Sequence, residues 1–285
     1  MTLSRTDPFM ESTMLSLQYK GSWMKMAVSR PVNVAPLVAT AVVAVAIVFS
    51  GCHRGGGTIR RGDLSYDCAE TFAADASVLA LAEAAGRGDA ATVRKLATTD
   101  SKANAVGKHG ITPLWWAAWA NNYEGFAALL EIGASPNVQR AEGLPVMHLV
   151  IRTADDDTRF LEAALKHGGD PNLRDPHTGE TPLFSAILFK HSRQIDLLLG
   201  SGADVKAQNP IDDMTLLMAA MSSSANYELV YRLLERGADP KVKTKTGLTL
   251  AGLIELNAIS SDNVKDPWRK KVIDLLRSKG VVVKE

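Results

Sequence analysis

A chain of 285 residues that is 46% hydrophobic and 22% charged carries enough apolar side chain for a sizeable core, which excludes global disorder. The formal net charge is +1, and setting aside Met1 to Cys52 leaves 28 basic against 29 acidic residues, or −1. So neutral a chain lacks the electrostatic footprint of a nucleic-acid binder, and two cysteines, Cys52 and Cys68, are too few for a disulfide framework.

The first segment reads as an address. Lys25 and Arg30 precede an apolar run from Leu37 to Phe49. At about 13 residues it suits the apolar region of a secretory signal better than a membrane span of roughly 20. Phe49-Ser50-Gly51-Cys52 closes the run with small residues before a cysteine, which resembles a bacterial lipobox, with Phe49 where an aliphatic residue is usual. The resemblance implies that residues 1–51 are a signal peptide and that Cys52 is the lipid-attachment site. The mature chain would then be held at a membrane by its lipid and face the bacterial periplasm. His53 follows where an aspartate would signal retention at the inner membrane, so the resemblance favours the inner leaflet of the outer membrane. The competing reading is an uncleaved anchor that ends at a chance cysteine. Residues 1–23 make a long leader, and translation is expected to start at Met24 or Met26.

Residues 52–76 read as a lipidated cysteine followed by a flexible tether. Gly55-Gly56-Gly57 and Arg60-Arg61-Gly62-Asp63 combine backbone freedom with charge, a composition that cannot repay the entropy of ordering. Cys68 lies here as an odd thiol, open to intermolecular pairing or to burial at the edge of the first repeat.

From residue 77 the chain repeats itself. Helix starts align at Thr112, Pro145, Thr181, Thr215 and Thr249, and glycines closing second helices fall at Gly133, Gly168, Gly202 and Gly237. Consecutive members of the first series lie about 33 to 36 residues apart, and of the second about 34 or 35. Thr at a helix start accepts from orphan N–H groups, Pro at the first position has no donor to lose, and Gly after the last turn takes the left-handed conformation. Ala117-Ala118, Ala186 and Ala219-Ala220 let first helices approach closely, while Leu129-Leu130, Leu197 to Leu199, Leu233-Leu234 and Leu275-Leu276 fill the seam between layers. Two landmarks keeping one period of this length resemble an ankyrin array. The resemblance implies an all-α solenoid over residues 77–285, of about six helix-turn-helix units joined by β-hairpin-like loops. The first unit, from Leu79 to Leu96, lacks the Thr-Pro start, as a capping repeat does, and Trp268 is expected to cover the far end. Asp155-Asp156-Asp157 reads as a solvated turn whose carboxylates favour the helix beginning near Thr158.

Catalytic patterns are absent from the sequence: there is no Gly-x-Ser-x-Gly elbow, no phosphate-cradling glycine loop and no paired-cysteine metal site. His148 falls where such repeats carry a histidine bonded into the turn network, and His167 and His177 with Asp170 and Asp175 show no metal-ligand spacing. No cofactor or metal is expected. The resemblance places partner-binding residues at hairpin tips and on the inner face of first helices, a concave surface. At the tips stand Lys108, His109, Ile111, Arg140, Leu144, His177, Glu180, Ile211 and Met214. On the first helices stand Trp119, Arg152, Leu188, Phe189 and Ser222, with Tyr123 beside Trp119. Trp119, Arg152 and Leu188 occupy one place in successive repeats and are expected side by side, while Trp115 and Trp116 stand open between core and surface.

The expected function is that of a monomeric, non-catalytic protein-binding lipoprotein. Its most concrete form is an immunity protein that occludes a toxic effector, such as a lipase delivered by type VI secretion. The alternative is a scaffold or chaperone-like partner of a resident periplasmic protein, for example an antioxidant enzyme, and the remote one a hydrolase.

Overall fold

A computed structural model of the chain describes residues 58–61, 64–96, 100–139, 143–153, 156–258 and 265–284. The signal segment, Cys52 and Arg140 lie outside them.

The described structure begins before the first repeat. Strands β1 (Thr58–Arg61) and β2 (Leu64–Asp67) pair antiparallel, with Thr58 opposite Asp67, and lead into the short helix α1 (Cys68–Thr71). The sequence after Gly62 turns apolar at intervals, and Cys68 and Phe72 are buried. The flexible tether expected up to residue 76 is therefore corrected: residues 58–61 and 64–75 carry a hairpin, a helix and a turn that build onto the first repeat. Burial pushes the Cys68 thiol up to about 12, so it stays protonated and unreactive, and the open choice for this residue resolves to core.

Six helix pairs follow among the described residues. They are α2 (Ala76–Arg87) with α3 (Ala90–Leu96), then, beyond the turn helix α4 (Asp100–Ala103), α5 (Pro113–Trp119) with α6 (Tyr123–Glu131). Next come α7 (Val146–Thr153) with α8 (Arg159–Lys166), and α9 (Pro182–Phe189) with α10 (Ser192–Gly200). The last two pairs are α11 (Leu216–Ser224) with α12 (Tyr227–Glu235) and α13 (Leu250–Asn257) with α14 (Pro267–Ser278). First helices α2, α5, α7, α9, α11 and α13 contact one another in chain order, and second helices α3, α6 and α8 do the same. A two-residue hairpin of β3 (Gln208–Asn209) and β4 (Met214–Thr215) joins the fourth and fifth pairs.

Local chemistry explains why each pair starts and stops where it does. Thr112, Thr181, Thr215 and Thr249 each accept, through the hydroxyl oxygen, from the N–H three residues on, at 3.1 to 3.3 Å. Each such cap contributes about 1 kcal/mol. Gly133, Gly168, Gly202 and Gly237 close second helices with φ between 83° and 93°, a region where a Cβ is strained. The alanines named above are buried in the first-helix layer, and Leu129, Leu198, Leu233, Leu234 and Leu276 are fully buried in the seam.

Three asparagines stitch neighbouring repeats together, a device that reads in sequence only as turn chemistry. The Asn104 amide donates to the carbonyl of Gly133 (3.1 Å) and its Oδ1 accepts from the Ser135 N–H (2.6 Å). Asn137 does the same with Gly168 and Asp170 (2.7 and 2.8 Å), and Asn172 with Gly202 and Asp204 (3.3 and 2.7 Å). Each one satisfies a carbonyl and an N–H that the end of the next repeat's second helix leaves without an intrahelical partner.

The acidic turn is built differently from the expectation. Asp157 does serve the helix near Thr158, accepting from the Arg159 N–H at 3.0 Å. Asp156, at φ 67°, instead reaches the following repeat and accepts from the N–H groups of Arg193 and Gln194 at the start of α10 (2.9 and 3.1 Å). Trp268, at the start of α14, is half-buried against Tyr231 of α12, ring centroids 5.4 Å apart, so it packs toward the preceding pair, in place of the expected cover over the open end.

Candidate functional site

Solvent access divides the expected partner-binding residues sharply. Ile111 and Trp119 are 2% and 3% exposed, so both leave the surface row and join the core. Trp119 stacks on Trp115 at 5.3 Å with the planes 18° apart, and Tyr66 from β2 meets both indoles edge-on at 5.5 Å. The β1–β2 hairpin occupies the place a partner was expected to take, and this corrects the reading of Trp119 as an exposed anchor. Trp115 and Trp116, left open above, are also buried. Tyr123 is corrected as well: it packs in the second-helix layer, edge-on to Phe160 at 5.6 Å and beneath the Arg159 guanidinium at 5.5 Å. Lys108 and His109 are exposed, with the Lys108 ammonium 3.0 Å from Glu70 and the His109 ring 6.2 Å from Tyr66. Leu144 is half-buried against the core.

What the fold does bring together is a polar network running across the third, fourth and fifth repeats. Arg152, in the last turn of α7, reaches Asp175 at 3.2 Å and Glu180 at 3.9 Å. The Asp175 side chain is 2% exposed and the Glu180 side chain 12%. Asn209 in β3 donates to Glu180 Oε1 at 3.3 Å, and through its own Oδ1 accepts the N–H of Ile211 at 2.8 Å. Met214 faces Asn209 across the β3–β4 ladder, half-buried, while Ile211 at the hairpin tip is 64% exposed. Leu188 and Phe189 end α9 half-buried, Leu188 against the core and the Phe189 ring 5.9 Å from His191. Of the expected partner-binding residues, Glu180 and Met214 meet at Asn209 and Arg152 joins them through Glu180, while Trp119 is not among them.

The electrostatics follow from the count of charges. Two carboxylates share one guanidinium, so burial, with Asp175 and Asp212 nearby, pushes the Glu180 carboxyl up against the pull of Arg152. Arg152 Nε is buried with no hydrogen-bond partner among the described residues, so the guanidinium is pinned yet incompletely satisfied. A fixed charge beside an exposed isoleucine is chemistry suited to recognition: oriented polar groups give specificity and the apolar tip gives area. Sequence reading missed Asn209 and weighed Asp175 only as a metal ligand. Their signal was available as an acid and an amide at hairpin positions adjoining an inner-face arginine.

One pair has the composition of a hydrolytic site. His148 Nδ1 lies 3.1 Å from Ser185 Oγ, and its Nε2 is 2.9 Å from the Leu173 carbonyl. Both residues are fully buried, and burial is the main reason the imidazole is pushed down to about 4. With both ring nitrogens engaged and no exposure, the pair locks α7 to α9 and to the loop between α8 and α9, which is a structural task. An open groove of about 570 Å³ lies beside the first repeat, lined by Phe72, Val78, Val106 and the ion-paired Glu70 and Lys108, far along the chain from this pair. Among the described residues no group of His, Cys, Asp and Glu is placed to hold a metal, and no helix is long and apolar enough to cross a membrane.

The geometry just described matches a known class. A family profile of ankyrin repeats in three copies matches residues 143–244, and a single ankyrin-repeat profile matches residues 109–141. These segments match ankyrin repeats and the fold is an ankyrin-repeat solenoid, a class of repeat that implies protein binding. Protein PhlB of Serratia liquefaciens is 34% identical over 144 residues, which are 50% of this chain and 62% of that protein. Ankyrin repeat and SOCS box protein 6 of Homo sapiens is 32% identical over 127 residues, 45% of this chain and 29% of that protein. The chain therefore spans less than two thirds of either relative. The crystal structure of the ankyrin repeat domain of Bcl-3, described as a unique member of the IkappaB protein family, superposes with a TM-score of 0.53. It covers 70% of this chain and 97% of that one at 22% identity, a likeness of fold alone.

Proposed function

We propose that this chain is a lipid-anchored periplasmic immunity protein that binds and occludes a secreted toxic effector, such as a lipase delivered by type VI secretion. The observation that carries the binding part is the pinned Arg152, Asp175, Glu180 and Asn209 network beside the exposed Ile211 tip. Such a surface is rigid before the partner arrives, so little ordering entropy opposes association. The anchoring part is supported by Phe49-Ser50-Gly51-Cys52, and the effector by the reasoning that a tethered inhibitor meets an incoming enzyme at the membrane it attacks. Occlusion needs affinity and no chemistry.

Expressing the neighbouring gene product in the periplasm should be toxic, and co-expression of this chain should relieve that toxicity. Cys52→Ser should abolish palmitate labelling and weaken the relief. A toxic neighbour left unrelieved by the wild-type chain would overturn the immunity reading, and palmitate incorporation persisting in the Cys52→Ser variant would overturn the anchor.

A further inference from the structure

The far end of the array is charged quite unlike the rest. Residues 241–285 hold 10 of the 32 Lys and Arg but only five of the 31 Asp and Glu, so this stretch is +5 in a chain of +1. Its described acids are already engaged. Asp266 accepts from the Trp268 N–H at 2.7 Å, Asp274 pairs with Arg277 at 3.2 Å, and Glu255 accepts from the Lys284 N–H at 2.8 Å. Its lysines are not: among the described residues no ion pair involves Lys241, Lys243, Lys265, Lys270, Lys271 or Lys284, and all six are exposed.

These charges share one end of the structure. Helix α14 buries Val272, Ile273 and Leu276, which turns Lys270, Lys271 and Arg277 to solvent. Lys271 lies 3.9 Å over the Trp268 ring. Lys241 extends to the turn after α14, where its Nζ lies 3.6 Å from a Cβ built on Gly280. Beside them stand two of the large apolar side chains most open to solvent, Leu256 at 58% and Val282 at 81%.

From this juxtaposition we infer that the terminal repeat is a second membrane contact, an electrostatic face for anionic phospholipid headgroups with Val282 and Leu256 entering the interface. Lysine dominates the patch, and lysine is depleted from protein interfaces, whereas long flexible stems bearing hydrated point charges suit a fluid layer of headgroups. Mobile ammonium groups need no fixed partner geometry, and two protruding aliphatic side chains add apolar area that a bilayer interface accepts. The contact does not depend on acylation of Cys52. Together the two would supply the pair of signals that stable anchoring requires.

The test uses the full-length chain carrying Cys52→Ser and Val282→Cys, labelled at residue 282 with an environment-sensitive fluorophore. Cys68, buried and held as the thiol, stays unlabelled. The probe reports the terminal repeat alone, so adsorption through residues 37–49 does not imitate the effect. A blue shift is expected on vesicles of equal phosphatidylglycerol and phosphatidylcholine, with apparent affinity roughly tenfold or more above pure phosphatidylcholine. It should vanish near ~1 M salt, where charges are screened within about 3 Å. Lys241→Glu, Lys270→Glu and Lys271→Glu together should weaken it roughly tenfold or more while leaving the circular dichroism and urea midpoint unchanged. No shift on vesicles that the chain does bind would overturn the inference. So would an equal shift on phosphatidylcholine, or a shift induced by polyglutamate or DNA and absent with lipid.

Discussion

Gly125→Ala is expected to lower the unfolding free energy by about 3 kcal/mol or more, the upper end of overpacking costs. A Cβ at this position in α6 would lie 1.9 Å from the Ala85 carbonyl oxygen and 2.6 Å from its carbon. Those atoms are backbone of α2, so no side chain can swing away, and α2 and α6 must part or shift together. Close packing transmits that shift into the first two repeats, where Leu81, Ala82, Phe126 and Leu129 are buried. Gly200→Ala provides the control: nothing lies within 4 Å of its Cβ position at the end of α10, and it is expected to be neutral or to stabilise by about 0.5 kcal/mol. Urea midpoints of the two variants should move in these different ways, and equal midpoints would contradict the packing described.

Acid should weaken the array through His148 before it protonates most carboxylates. The imidazole titrates near 6.5 when unfolded and is pushed down to about 4 when folded, first by burial and also by the Arg152 charge, against the opposing effects of the Leu173 carbonyl and Asp175. Between these values the unfolded chain binds the additional proton, so stability rises with pH across the window and is lost as pH falls from 6.5 toward 4. The full loss is on the order of 3 kcal/mol. His148→Gln removes the titration while keeping hydrogen-bonding capacity, so its urea midpoint should be lower at pH 7 yet fall less between pH 6.5 and pH 4. Parallel pH profiles for the two proteins would contradict the buried, neutral imidazole.

The landmarks legible in the sequence are those decided within one repeat. Thr112, Thr181, Thr215 and Thr249 cap because a hydroxyl three residues ahead of an N–H does so in any context, and Gly133 and Gly237 close helices because their φ excludes a Cβ at low cost. The expectations that failed are those decided between repeats, or by chain outside the period. Trp119 is covered by Tyr66, which belongs to a hairpin that no repeat template contains. Tyr123 faces Phe160 because α6 meets α8 in the second layer, a neighbour that periodicity alone does not name. Asparagine is favoured in turns whatever lies beyond them, so Asn137 and Asn172 carry no sequence signal of their bonds across the repeat boundary, which appear only in three dimensions. Arg152 and Glu180 read in the sequence as separate exposed contacts. Their pairing around Asp175 comes from the hairpin geometry.

In the function proposed above, the chain acts by binding a protein across the inner face and hairpin tips of the third to fifth repeats. Titrating the neighbouring gene product against wild-type chain and Ile211→Asp, by calorimetry, tests it most directly. Ile211 is 64% exposed, so its replacement leaves the fold intact, and an anchor lost from an interface costs about 2 kcal/mol or more, roughly 30-fold in Kd. Glu228→Lys, exposed in the second-helix layer on α12, should bind as wild type does. Unchanged affinity for Ile211→Asp together with a loss for Glu228→Lys would place the partner on the opposite face and contradict the account.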